Sequence, residues 1–194
     1  GKSILAGSTW SFSFWESYDD GGTASIDQNW TNLSFDFTAA PPPVAPSATM
    51  LGNITPVYPE MLSNTATYAT SAIKWYKFHL DNATTTGGNG ITINTLLNGS
   101  GTNIADTELA LFDASGNLVD SDDDDDDNNL GYSTTRSHMQ FGAGKAANLS
   151  AGDYYVAVGA YNSTFGWGFS ATSTSTDSGD ITLAIQAVPE PASV

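Results

Sequence analysis

The sequence contains no cysteine, which excludes disulfides and thiolate metal sites and leaves the redox compartment unreadable. Basic residues are scarce as well. Five Lys and Arg stand against 21 Asp and Glu, a formal charge of −16, which repels phosphate backbones and anionic membranes. Nucleic acid is therefore not an expected partner. No run of about 18 apolar residues exists to cross a bilayer. No apolar leader precedes Gly1, so the chain reads either as internal and soluble or as a processed form. Of the two histidines, His79 falls in an alternating strand and His138 in an expected loop, and neither belongs to a His-Glu-x-x-His zinc motif. There is no Gly-x-Ser-x-Gly elbow, and Gly1-Lys2-Ser3 lacks the glycine-rich loop of a phosphate cradle. Acidic pairs such as Glu16 and Asp19 are indistinguishable from turn residues. The expectation is a protein that is not an enzyme.

What the chain has in quantity is Ser, Thr, Asn and Gly together with 5 Trp, 8 Tyr and 9 Phe, a mixture that favours strands joined by turns. Its 194 residues suffice for one domain with a real core plus an arm. In residues 1–40, Trp10, Phe12 and Phe14 alternate with serines, as do Leu33, Phe35 and Phe37 with Ser34 and Asp36. Such period-2 patterns are those of strands with one buried face. Ile4 and Leu5 add an apolar patch near the chain's start. Residues 41–47, opening Pro41-Pro42-Pro43-Val44-Ala45-Pro46, read as a semi-rigid extended connector. Residues 47–70 show little periodicity and read as a long loop holding one short strand.

From Ile73 onward the pattern is regular. Trp75 to Leu80 alternates, Gly87-Gly88-Asn89-Gly90 turns, and Ile91 to Asn94 alternates again. Glu108 to Phe112 and Asn117 to Val119 form a hairpin about Asp113-Ala114-Ser115-Gly116. Ala151-Gly152-Asp153 launches Tyr154 to Tyr161, and Ile181 to Ile185 is a last strand. Short strands at this spacing predict an all-β fold, an antiparallel β-sandwich or jelly roll over residues 48–188, with an N-terminal strand arm.

The hairpin ends in six consecutive aspartates, Asp122 to Asp127. So many carboxylates together need a cation or open water, and hard Ca²⁺ takes about 6–8 oxygen ligands. The run is not an EF-hand, because Asp125 stands where that loop needs glycine. Alternate side chains of an extended segment face one way, so the expected ligands are Asp106, Asp113, Asp122 and Asp124. Exposed aromatics offer a competing role, stacking on polysaccharide, with Trp15, Tyr161 and Trp167 as candidates.

The order Asp-Thr-x-Leu-x-Leu-Phe-Asp-x-x-Gly-x-Leu, acidic run, Leu-x-Ala-Gly-Asp-Tyr-Tyr-Val-Ala-Val closely resembles bacterial pre-peptidase C-terminal-type domains. Here it is carried by Asp106, Thr107, Leu109, Leu111, Phe112, Asp113, Gly116 and Leu118, then Asp122 to Asp125, then Leu149 and Ala151 to Val156. The resemblance implies a secreted β-sandwich module that often binds calcium. Residues 189–194 continue a second likeness: Val188-Pro189-Glu190-Pro191-Ala192-Ser193 resembles the start of the PEP-CTERM sorting signal of exported bacterial proteins. That implies an extracellular or cell-surface location, with only transient membrane attachment through a removed anchor. Seven Asn-x-Ser/Thr sequons, at Asn29, Asn32, Asn53, Asn82, Asn98, Asn148 and Asn162, offer possible glycan attachment. The functional expectation is a calcium-stabilised structural component of a bacterial surface or biofilm matrix. It would form homo-oligomers or fibres by β-strand addition through Ile4, Leu5, Trp10, Phe12 and Phe14. The alternative is a secreted carbohydrate-binding module.

Overall fold

The structure is a computed structural model and describes residues 41–96, 102–124, 135–145 and 147–188. The expected arm strands of residues 1–40 and the tail beyond Val188 lie outside the described residues. The chain divides between Pro41 and Pro42.

Eleven strands are found among the described residues, and no helix: β1 (Thr49–Ile54), β2 (Met61–Tyr68), β3 (Lys74–Leu80), β4 (Gly90–Leu96), β5 (Thr107–Asp113), β6 (Leu118–Asp122), β7 (His138–Gly142), β8 (Gly152–Ala160), β9 (Ser163–Gly166), β10 (Ser170–Ser173) and β11 (Gly179–Val188). They form a five-stranded sheet in the order β1-β3-β8-β5-β6, a four-stranded sheet β2-β11-β4-β7, and a small hairpin β9–β10. All pairings are antiparallel except that of β1 with β3. The fold is an all-β sandwich.

The period-2 alternation explains the core. Tyr76, Phe78 and Leu80 of β3, Leu109 and Leu111 of β5, and Val156 and Val158 of β8 face inward from one sheet. They meet Ile91, Ile93, Phe141, Ile181, Leu183 and Ile185 from the other. A second, smaller cluster lies on the outer face of the five-stranded sheet. There Phe169 covers Phe112, Trp75 and Tyr155, with ring centroids 5.1–6.1 Å from its own. β5 is thus covered on both faces, which is why Glu108-Leu109-Ala110-Leu111-Phe112 is apolar at nearly every position.

Residues 47–70 depart from expectation, because they hold two strands, β1 and β2, where one was foreseen. Both are sheet edges, so only half of each inward face is covered and the sequence carries little apolar periodicity. β2 ends in Tyr68, whose hydroxyl lies 3.1 Å from that of Tyr76 in the buried core. Tyr68→Phe strands the Tyr76 hydroxyl and should lower stability by about 1–2 kcal/mol, read from the urea midpoint.

The proline connector is also more than a spacer. Pro43 packs over Gly116 in the β5–β6 turn and Gly168 in the β9–β10 turn. Pro43 and Pro46 are half-buried while Val44 is 89% exposed.

Candidate metal centre

At the end of the sandwich where β5 begins, the chain brings together parts distant in sequence. Asp106 immediately precedes β5, and its carbonyl accepts a hydrogen bond from Tyr161 N at 3.2 Å. β6 runs antiparallel to β5 with Asp122 opposite Leu109, so the chain beyond Asp122 emerges beside Asp106. Ligand oxygens of Asp106, Asp123 and Asp124 lie within 4.8 Å of one another.

Buried polar contacts hold these pieces in place. The Thr107 hydroxyl lies 2.6 Å from that of Thr95 and 3.2 Å from that of Ser137. Thr107 and Ser137 are fully buried. The Ser137 hydroxyl also reaches the Asp123 carbonyl at 3.2 Å, and His138 N donates to Asp122 Oδ2 at 2.6 Å. The end of β6 is therefore tied to the start of β7, across the two sheets. These ties satisfy groups that would otherwise be stranded between the layers.

The electrostatics are those of crowded acids. Burial, then Asp123, Asp124 and Asp177, push the Asp106 carboxyl above its ordinary range, opposed by the Arg136 guanidinium. Asp106 Oδ1 is buried and has no hydrogen-bond partner among the described residues. Deeper along β5, Glu108 is 8% exposed, and Asn162 N donates to its Oε1 at 2.8 Å. Burial first, then Asp123, push its carboxyl up to about 7. Glu108 faces a cleft of about 380 Å³, lined also by Ser121, Asp122, Asp123, Ser163, Thr164 and Phe165.

An all-oxygen donor set, an orphaned buried carboxylate oxygen and mutual repulsion are what a hard divalent cation relieves. Asp106, Asp123 and Asp124 are the side chains placed to hold a hard divalent cation of this kind.

Of the four ligands expected from sequence, Asp106 and Asp124 meet here. Asp113 does not, since it sits at the opposite end of β5, about 23 Å away at ~3.3 Å per residue. There it builds the hairpin turn instead: its Oδ1 accepts from Ser115 N and Asn117 N at 2.8 and 3.0 Å, and its Oδ2 from Asn117 Nδ2 at 2.7 Å. Asp122 turns toward β7. Strand alternation would pair Asp122 with Asp124, but β6 ends at Asp122 and the chain bends at Asp123 and Asp124, freeing adjacent side chains to face one ion.

Asp123, Glu108 and Arg136 escaped the sequence reading. Glu108 carried a signal, an acid inside an otherwise buried strand. Arg136 carried another, being one of only five basic residues.

No family model matches the chain, nor does any curated protein.

The remaining candidates are dispersed. His138 opens β7 instead of lying in a loop, and its Nδ1 pairs with Asn94 Oδ1. His79 lies on the outer face of β3 with Nδ1 2.6 Å from Asp153 Oδ1, beside the Lys77–Asp153 ion pair, also 2.6 Å. Tyr161 and Trp167 are 49% and 48% exposed, and the Trp167 indole donates to Asn117 Oδ1 at 3.2 Å. They cap opposite ends of β9, up to about 20 Å apart. Among the sequons, Asn53, Asn82, Asn148 and Asn162 are exposed. The Asn53 amide donates to Asp81 Oδ1 at 2.9 Å, and that of Asn148 to Thr86 at 2.8 Å. Asn29, Asn32, Asn98, Trp15 and the assembly residues Ile4, Leu5, Trp10, Phe12 and Phe14 lie outside the described residues.

Proposed function

We propose that the chain is a non-catalytic structural module of a bacterial surface or matrix, whose sandwich is clamped by calcium and which assembles with copies of itself. The observation that carries this reading is the convergence of Asp106, Asp123 and Asp124 from two separate segments. A cation held there joins the start of β5 to the end of β6, beside the tie between β6 and β7. The extracellular setting rests on the resemblances carried by residues 106–156 and 188–193. Assembly rests on the apolar alternation of residues 4–14.

The cation reading is checked by thermal unfolding. At a calcium concentration of about 100 Kd, linkage stabilises by roughly 2.7 kcal/mol. A domain of this size gains about 2–4 °C per kcal/mol, so melting should rise by about 5–10 °C over that in excess chelator. Equal melting temperatures in the two buffers would sink it. A polysaccharide-binding role is the second reading, favoured by the exposure of Tyr161 and Trp167. Their spacing suits sugars several units apart along a chain, not a single ring.

A further inference from the structure

The two flanks of the sandwich are finished differently. On the β6/β7 flank, side chains tie the sheets together and aspartates crowd the edge. The β1/β2 flank is open. The half-buried apolar residues at the margin of the main core, Leu51, Leu62, Ala66 and Ala72, all belong to this flank. Met50, Val57, Tyr58 and Met61 beside them are 47–64% exposed.

Sheet edges are ordinarily guarded by charge, proline or bulges. β1 has such a guard, a register break between Met50 and Gly52. β2 has none. It pairs with β11 over eight residues without a break, its sequence Met-Leu-Ser-Asn-Thr-Ala-Thr-Tyr holds neither charge nor proline, and its other edge meets no strand among the described residues. In a chain of net charge −16, this edge adds no local charge of its own to the repulsion a second copy meets.

We propose that the free edge of β2 accepts residues 8–15 of a second copy as an added strand. This rests on the assembly reading above and names its acceptor. Residues 3–15 are uncharged, and Trp10, Phe12 and Phe14 alternate with Ser11 and Ser13. The large side chains would lie over the half-buried row Leu62, Asn64 and Ala66, and the serines would join the exposed row Ser63, Thr65 and Thr67. Eight residues span about 26 Å, the length of β2. Donor and acceptor are different surfaces, so each copy takes one arm and gives one, and the contact propagates as a fibre.

The absence of native cysteine makes disulfide trapping clean. Full-length chains carrying Ser11→Cys are mixed with chains carrying Ser63→Cys and oxidised, with Ser13→Cys as a second donor variant for a register shift of two. The expected product is a disulfide joining position 11 or 13 of one chain to position 63 of another. Disulfides between two copies of position 63 would show the edge pairing with itself and overturn the proposal. So would a monomer cross-linked within one chain when both substitutions share it, and so would no cross-link at all. Two full-length variants separate this inference from the reading beneath it. Phe12→Asp in the arm and Ala66→Lys on β2 should each leave only monomer by light scattering. If Phe12→Asp still assembles, strand donation itself fails. If Phe12→Asp is monomeric while Ala66→Lys melts as before and assembles, donation stands and the assignment to β2 fails.

Discussion

Replacing Arg136 by leucine should cost the calcium-free sandwich about 1.5–3 kcal/mol, the usual worth of a hydrogen bond to a charged group. It should also make folding depend on calcium. Arg136 is fully buried just before β7, and its Nη1 donates to the Leu96 carbonyl at 3.4 Å. Its charge opposes, without cancelling, the push that burial and neighbouring aspartates exert on Asp106. Without the guanidinium, that end of the molecule holds converging carboxylates and no other buried cation among the described residues. Calcium can take over the charge compensation but not the bond to Leu96, so rescue should be large and incomplete. Urea unfolding of both proteins, in calcium and in chelator, reads this directly. A loss of equal size in the two buffers would show that Arg136 contributes only packing.

The second large effect concerns Glu108. Its carboxyl is raised from 4.5 to about 7, chiefly by burial, so the folded state holds a proton that the unfolded state has already released. Stability contributed by this group is fully present below about pH 4.5 and is lost as pH rises through about 7. At about 1.4 kcal/mol per pH unit, the loss amounts to at most about 3.5 kcal/mol. Asp106, raised for similar reasons, acts in the same direction. Asp81 and Asp153 are held below their ordinary range by hydrogen bonds from Thr55 and Asn53 and from Lys77 and His79 respectively. Their contribution is lost only in stronger acid, below that window. Glu108→Gln keeps the acceptor for Asn162 N and removes the charge. In calcium-free buffer the variant should exceed the wild type in stability at pH 8 and lose most of the slope between pH 4.5 and 7.5. An unchanged slope would place the titrating group elsewhere.

How much of this was legible varies with burial. β3, β4, β5, β8 and β11 could be read because each alternates with one face in the main core, or, like β5, is apolar throughout because both faces are covered. β1 and β2 were not, since an edge strand half-covered on its inner face selects no strict pattern. β7 was missed altogether, because it is only five residues long and puts just two large apolar side chains, Met139 and Phe141, into the core, too few to mark a period. The candidate site was legible as a region, because an acidic run closing a hairpin demands compensation. Its membership was not.

Sequence alone determined the class of fold, the acidity, the lack of thiols and of familiar catalytic motifs, and the placing of the aspartate run beside the strand that begins at Thr107. These follow from composition and short-range periodicity, which act within a few residues. Only the tertiary structure decided which carboxylates meet. Asp113 and Asp106 are joined by one strand and kept apart by its length, whereas Asp106 and Asp123 are separated in sequence and brought together by antiparallel pairing. It also decided that one flank is tied and the other open, since closure depends on which strands fall at the edges, and edge position is a property of sheet order.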